Sequence, residues 1–235
     1  PFLIDLITPS EISLFLFSKP FFSIIFHLLY PYSIGSYFLR YILMTSSSIS
    51  SFNTDEKRSL AIFTFPLDFS KENINTLSIN SLVSSINILN TAVRAKIKKI
   101  IYFSSGGAIY GTVNGLIKEE NELNPISSYG IIKSTIEKYF LLYGKKYNIE
   151  TIIFRPSNPY GPRQGNFIAQ GVISTFLRKL SNNETISVFG TGENMKDYIY
   201  IEDLALICYK IIISAKSGIF NIGTGVGTKI NQILD

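Results

Sequence analysis

Tyr129 and Lys133 stand four residues apart in the segment Ser128-Tyr-Gly-Ile-Ile-Lys133. On an α-helix, residues at that spacing lie on one face. An ammonium beside a phenol favours the phenolate and lowers its pKa from about 10. The pair is therefore equipped to act as a general base on an alcohol proton. About twenty-five residues upstream, the apolar run KKIIYFS (98–104) ends in Ser104 and Ser105 and meets a glycine turn at Gly106-Gly107. Hydroxyls there sit at the carboxyl end of a strand, where open α/β sheets bind ligands. Downstream, TIIF (151–154) reads as a second buried strand. It runs into Arg155-Pro-Ser-Asn-Pro-Tyr-Gly-Pro162, whose prolines and glycine exclude a helix.

These groups need elements to hold them. Ile79, Leu82, Val83, Ile86, Leu89 and Val93 recur at three- and four-residue steps and predict a helix over 72–95. Ile132, Ile136, Tyr139, Phe140 and Tyr143 do the same over 127–147, and a third helix is expected over 167–180. TISVFG (185–190), DYIYIED (197–203) and GIFNIG (218–223) read as short strands. A further helix follows from Asp203, a good N-cap residue, to about Ile213. Asn53 to Leu60 is polar and charged and reads as a surface loop. Lys96, Lys98 and Lys99 read as a solvated helix end favoured by the dipole, and not as a nucleic-acid patch; Lys145 and Lys146 have the same explanation. Alternation of helix and strand argues for an α/β fold with a parallel sheet.

Composition removes several chemistries. The chain has 235 residues, 46% of them hydrophobic and 17% charged, which is too apolar for a disordered protein. Cys208 is the only cysteine and His27 the only histidine. A disulfide within the chain, a cysteine zinc site and a multi-histidine metal site are excluded. The net charge of +5 suits an anionic small ligand. Pro20 to Leu39 carries no formal charge and is long enough to cross a bilayer. Pro31, Gly35, His27 and several hydroxyls interrupt it, so a buried strand–turn–strand region is the preferred reading. With one cysteine and no tidy signal peptide, a cytoplasmic protein is expected.

The motifs, taken in order, carry a resemblance. They are SINSLVSSINILN with Asn80, IIYFSSGGAIYG, PISSYGIIKSTIEKY, FRPSNPYGPRQ, ISVFGTGENMKDYIYIEDLA and IFNIGTG. From about Asn73 to Asp235 the chain resembles the extended short-chain dehydrogenase/reductase family. Within it, the NAD-dependent nucleotide-sugar epimerases that are similar to UDP-glucose 4-epimerase look closest. The resemblance implies a Rossmann-like doubly wound parallel sheet, incomplete at its N-terminus, with a partial small substrate lobe. Residues 1–157 would be the NAD-binding part, with 1–60 atypical, and 158–235 the substrate part. It further implies that Tyr129 takes the proton of the sugar 4-hydroxyl while hydride passes to NAD. Lys133 would hold the nicotinamide ribose and keep Tyr129 acidic. Asn80, Ser104, Ser105 and Pro156 would flank the cofactor. Asn158 would contact the sugar nucleotide, and Lys196 would stand where the family usually has a pyrophosphate-clamping arginine, without its two-pronged fork. The substrate would be a UDP-sugar, and the chain would pair as a homodimer through 72–95 and 127–147.

Three features depart from the family pattern. The hydroxyl that normally assists the tyrosine falls at Gly106, so either Ser105 or a water takes its place. No glycine-rich phosphate turn opens the chain, whose first sixty residues contain only Gly35. The chain stops just after IFNIGTG, so both ends are expected to be truncated. IIFHLLY (24–30) is faintly similar to the family's fourth-strand histidine motif, but His27 lies too far before Asn80 and reads as a core residue. Gly223-Thr-Gly-Val-Gly227 reads as a structural turn, and Arg163 and Gln164 face either the substrate nucleotide or solvent. A dehydratase or decarboxylase would need an acidic residue in the turn that here reads Gly106-Gly-Ala-Ile109. A reductase would use the same tyrosine and lysine. The reading from a different class is a truncated, non-catalytic remnant.

Overall fold

The computed structural model describes residues 13–15, 24–27, 60–64 and 74–80 as backbone elements. It describes 81–234 with their side chains, except 114, 163, 165–170, 189, 215 and 216. Nine strands are described: β1 (Ser13–Phe15), β2 (Ile24–His27), β3 (Leu60–Thr64), β4 (Lys99–Phe103), β5 (Glu150–Pro156), β6 (Asn158–Tyr160), β7 (Met195–Tyr200), β8 (Gly218–Ile222) and β9 (Gly227–Lys229). The helices are α1 (Ile74–Arg94), α2 (Gly106–Ile109, one turn), α3 (Ser128–Tyr147), α4 (Val172–Ser181), α5 (Ile201–Ser214) and α6 (Ile230–Leu234).

The main sheet runs β1-β2-β3-β4-β5-β8, and every neighbouring pair except β1–β2 is parallel. Side chains of a strand alternate between faces, and β4 and β5 use both faces for core. Ile100, Tyr102 and Ile153 pack with Ile88, Leu89 and Ala92 of α1 and Ile136 and Phe140 of α3. Ile101, Phe103, Ile152 and Phe154 point the other way, onto Leu204, Ala205 and Cys208 of α5. Near-continuous apolar runs are what a sheet covered on both faces requires. A second, smaller sheet, β6-β7-β9, starts at Asn158. Residues 158–235 thus contribute to both sheets, since β8 belongs to the main one.

Several expectations change. Of the loop expected over Asn53–Leu60, only Leu60 is described, and it opens β3; the remainder lies outside the described residues. The apolar run LAIFT of β3 is a strand signal that the charged residues before it obscured. TISVFG makes no strand among its described residues. A carbonyl there is already engaged, because Lys179 Nζ donates to Thr185 O at 3.0 Å. Asp203 does not cap α5, which starts at Ile201; Glu202 and Asp203 lie in its first turn, where they complement the dipole. Lys99 lies on β4, not at a helix end, and donates to Ile212 O at 3.2 Å. The third helix is described from Val172, its expected start at 167 falling outside the described residues. His27 occupies the end of β2 beside Thr64; its side chain lies outside the described residues, as does most of the Pro20–Leu39 run. Among the described residues, no helix is long and apolar enough to cross a membrane.

Candidate active site

Helix α3 delivers the central residues. The Ser127 hydroxyl caps it by accepting from Gly130 N at 3.1 Å. Its other end closes on Asn148 in the left-handed conformation, with φ 54°. Gly130 has a packing reason. A Cβ there would meet the carbonyl of Ala108 and come within 2.9 Å of the Pro125 ring, so its absence lets α3 settle onto α2. Tyr129 therefore stands beside the turn that follows β4.

That turn supplies a hydroxyl. The Ser105 and Tyr129 hydroxyls are hydrogen bonded. Gly106 could not serve in its place: a Cβ there would lie 2.8 Å from Arg155 O and 3.2 Å from Pro156 O, both backbone atoms. The turn packs so closely on β5 that a side chain is excluded at 106, and the hydroxyl is carried one residue earlier. Pro156 enters the site through that carbonyl.

Lys133 is buried, 4% exposed. Its Nζ donates to Phe103 O, the last carbonyl of β4, at 2.9 Å. It stands 5.1 Å from the ring centroid of Tyr102 and 5.7 Å from that of Tyr129. Burial lowers the lysine pKa from its ordinary 10.5 to about 8, with the Glu137 charge acting in the opposite direction. Tyr129 departs from expectation. Burial raises its pKa, and the lowering influence is the Ser105 hydrogen bond, not Lys133. The lysine Nζ is bonded to the β4 carbonyl and stands over the Tyr129 ring.

Asn158 opens β6 and faces the glycine turn; a Cβ on Gly107 would lie 3.6 Å from its Oδ1. Its Nδ2 donates to Asp197 O at 2.8 Å. Ser104 follows β4, and its Oγ is buried without a hydrogen-bond partner among the described residues. Lys196 lies exposed on β7, paired in register with Thr228 of β9. The structure brings Ser105, Tyr129, Lys133 and Asn158 around one turn and does not bring Lys196 into contact with them. Asn80 lies on α1, its side chain outside the described residues. Gln164 Nε2 donates to Pro159 O at 3.3 Å, while Arg163 falls outside the described residues.

Three supporting residues were not found from sequence. Arg155, at the end of β5, grips Glu137 of α3 through Nε–Oε1 at 3.1 Å and Nη2–Oε2 at 2.7 Å. The two side chains are 4% and 2% exposed. Arg155 Nη1 also donates to the Tyr110 hydroxyl at 2.6 Å and to Glu119 O at 3.1 Å, and Tyr110 donates onward to Asn221 Oδ1 at 2.7 Å. The third is Asp197. Its carboxylate accepts from Thr224 N (3.0 Å), Thr224 Oγ1 (2.8 Å), Gly225 N (2.9 Å) and Ser157 Oγ (3.3 Å). This holds the glycine turn after β8 against the start of β6. The one signal available was helical spacing, since Glu137 follows Lys133 by four residues.

The description of one family, NAD dependent epimerase/dehydratase, fits residues 49–223. The chain belongs to that family. Among curated relatives, a Methanocaldococcus jannaschii protein with the provisional name UDP-glucose 4-epimerase is 40% identical over 156 residues, 66% of this chain and 51% of that one. The dTDP-4-dehydro-6-deoxyglucose reductase of Escherichia coli is 34% identical over 189 residues, 80% of this chain and 59% of that one. The chain thus spans about half the length of the curated relatives it matches. The crystal structure of UDP-glucose 4-epimerase from Thermotoga maritima, with UDP-glucose, superposes with a TM-score of 0.73 at 25% identity. That match covers 86% of this chain and 77% of the other. The Thermus thermophilus UDP-glucose 4-epimerase, a complex with NAD, has a TM-score of 0.74 at 22% identity and supports the fold. The NAD dependent epimerase/dehydratase fold is thus the frame in which the Tyr129 cluster sits.

Proposed function

We propose that this chain carries the catalytic core of an NAD-dependent nucleotide-sugar epimerase acting at C4 of a UDP-hexose. The observation that carries the reading is the Ser105–Tyr129 hydrogen bond beside buried Lys133 at the carboxyl end of β4. The described residues fit the nicotinamide-ribose end of the cofactor. Ser104 Oγ is a buried polar atom in want of a partner, and Gly106 and Gly107 leave the turn without side chains. Lys133, Ser104, Ser105, Pro156 and Asn80 would hold it there. When bound, NAD would supply a reversible hydride acceptor for the carbon that carries the 4-hydroxyl. Tyr129, as the phenolate, would accept the proton of the 4-hydroxyl at Oη, with Ser105 orienting that oxygen and the Lys133 ammonium, 5.7 Å from the ring centroid, offsetting its charge beforehand. The same proton returns from Oη when the alcohol is re-formed. Asn158 and Lys196 would engage the sugar nucleotide, Lys196 as a point charge.

The absence of an acid from Gly106-Gly-Ala-Ile109 favours epimerisation over elimination. A reductase, suggested by the Escherichia coli relative, would use the same tyrosine, there as proton donor, and would consume its cofactor. A preparation converting UDP-galactose to UDP-glucose with no net change in NADH absorbance supports the epimerase. Stoichiometric NADH consumption on a keto-sugar nucleotide would replace it with the reductase. A folded chain that binds no NAD by calorimetry would overturn both. We further propose a cytoplasmic homodimer through the outer faces of α1 and α3, where Val83, Leu141 and Leu142 are exposed. A monomer by sedimentation would refute the pairing.

A further inference from the structure

Tyr129, Lys133 and Glu137 recur every four residues and form a column along α3. Glu137 is the carboxylate nearest to Lys133 along that column. Yet among the described residues Lys133 makes no ion pair, and Glu137 is held by Arg155 through both oxygens. Three more contacts fix Arg155 itself: Tyr110 Oη, Glu119 O and the face of the Tyr110 ring at 5.1 Å. A carboxylate gripped at two points by a planar guanidinium has little freedom to turn toward a second cation.

We propose that Arg155 is a positioning residue for the proton relay: by holding Glu137 at two points it keeps that carboxylate from pairing with Lys133, and so leaves the lysine to Tyr129 and the cofactor ribose. The inference rests on the epimerase reading for its purpose, but its physical content does not. The buried cluster counts two cations and one anion, a net charge of one. Groups facing Lys133 from each packed element are Tyr129 and Glu137 on α3, Tyr102 on β4 and, through Glu137, Arg155 on β5. Ser105 and Tyr110 add only neutral hydroxyls. Without Arg155, Glu137 would pair with Lys133 and make its ammonium harder to deprotonate. Without Glu137, an uncompensated Arg155 would make it easier.

The test is titration of Lys133 by lysine-labelled NMR in the cofactor-free chain, its signal assigned by Lys133→Met. Arg155→Met should raise the midpoint, and Glu137→Gln should lower it, each by on the order of one pH unit. The double variant keeps the wild-type charge and should return near the wild-type midpoint. An unmoved or lowered midpoint in folded Arg155→Met overturns the proposal. Should Arg155→Met not fold, Arg155→Lys, which keeps the charge but not the two-pronged grip, decides: a raised Lys133 midpoint supports the proposal, and an unmoved one overturns it. Loss of epimerase activity alone leaves these midpoints untouched, so failure of the functional reading and failure of this one are separable.

Discussion

Replacing Arg155 and Glu137 by leucine, singly and together, tests the buried pair as an energetic unit. Both side chains are almost fully excluded from water and joined by two bonds of 2.7 and 3.1 Å. Breaking such a pair by removing one partner costs about 3–5 kcal/mol, because the other charge stays buried. The two single changes should not be equal. Glu137→Leu leaves Arg155 and Lys133 as buried cations with no carboxylate, so it belongs at the upper end. Arg155→Leu leaves Glu137 one helical turn from Lys133, which can take over part of the pairing, so it belongs at the lower end. The double variant removes both charges, and apolar replacement of a buried pair is often neutral. The lost bonds to Tyr110 and Glu119 should still cost it roughly 1–2 kcal/mol. In thermal unfolding followed by circular dichroism, Glu137→Leu should fall by roughly 10 °C or more, and the double variant by less than either single. A double variant whose loss equals the sum of the singles would refute the reasoning, since it would mean that the two charges act independently.

Gly106→Ser places the family's usual hydroxyl where a Cβ meets Arg155 O at 2.8 Å. It should cost about 1–3 kcal/mol in urea unfolding, and a variant as stable as wild type would contradict the close approach. Asp197→Ala removes the acceptor of Thr224 and Gly225 amides. Hydrogen exchange at those two amides should accelerate, while unchanged protection would show that the turn holds itself. Lys133 sets a pH dependence. Its folded pKa of about 8 lies below the ordinary 10.5, so the unfolded chain binds the extra proton between those values. Stability must then rise with pH across that window, and the burial cost is fully present below about 8. Relative to Lys133→Met, the wild-type chain should gain stability from pH 8 to 10.5, by on the order of 3 kcal/mol at most; a flat difference would contradict the assignment.

Much of the fold was legible because it depends on local pattern. The helix over 127–147 and the strands on either side of it follow from apolar spacing, and Tyr129, Lys133 and Ser105 follow from their place on them. What was not legible depends on groups distant in the chain. Whether position 106 or 105 supplies the hydroxyl is decided by the backbone of Arg155, some fifty residues on. Glu137 takes its role from Arg155, eighteen residues on, and Asp197 from the turn at 223–225 that folds onto it. The direction of the Tyr129 shift is set first by burial, which depends on packing that helical spacing does not reveal. Helical spacing puts Lys133 on the right face but does not reveal that its ammonium is bonded to Phe103 O.

The most direct test of the catalytic assignment is the rate of UDP-galactose conversion by Tyr129→Phe beside wild type, both confirmed as folded. The phenol oxygen is the proposed proton acceptor, so its removal should lower turnover by about a hundredfold or more with the fold intact. A Tyr129→Phe protein that turns over within about twofold of wild type would contradict the account, because a general base contributes far more than that.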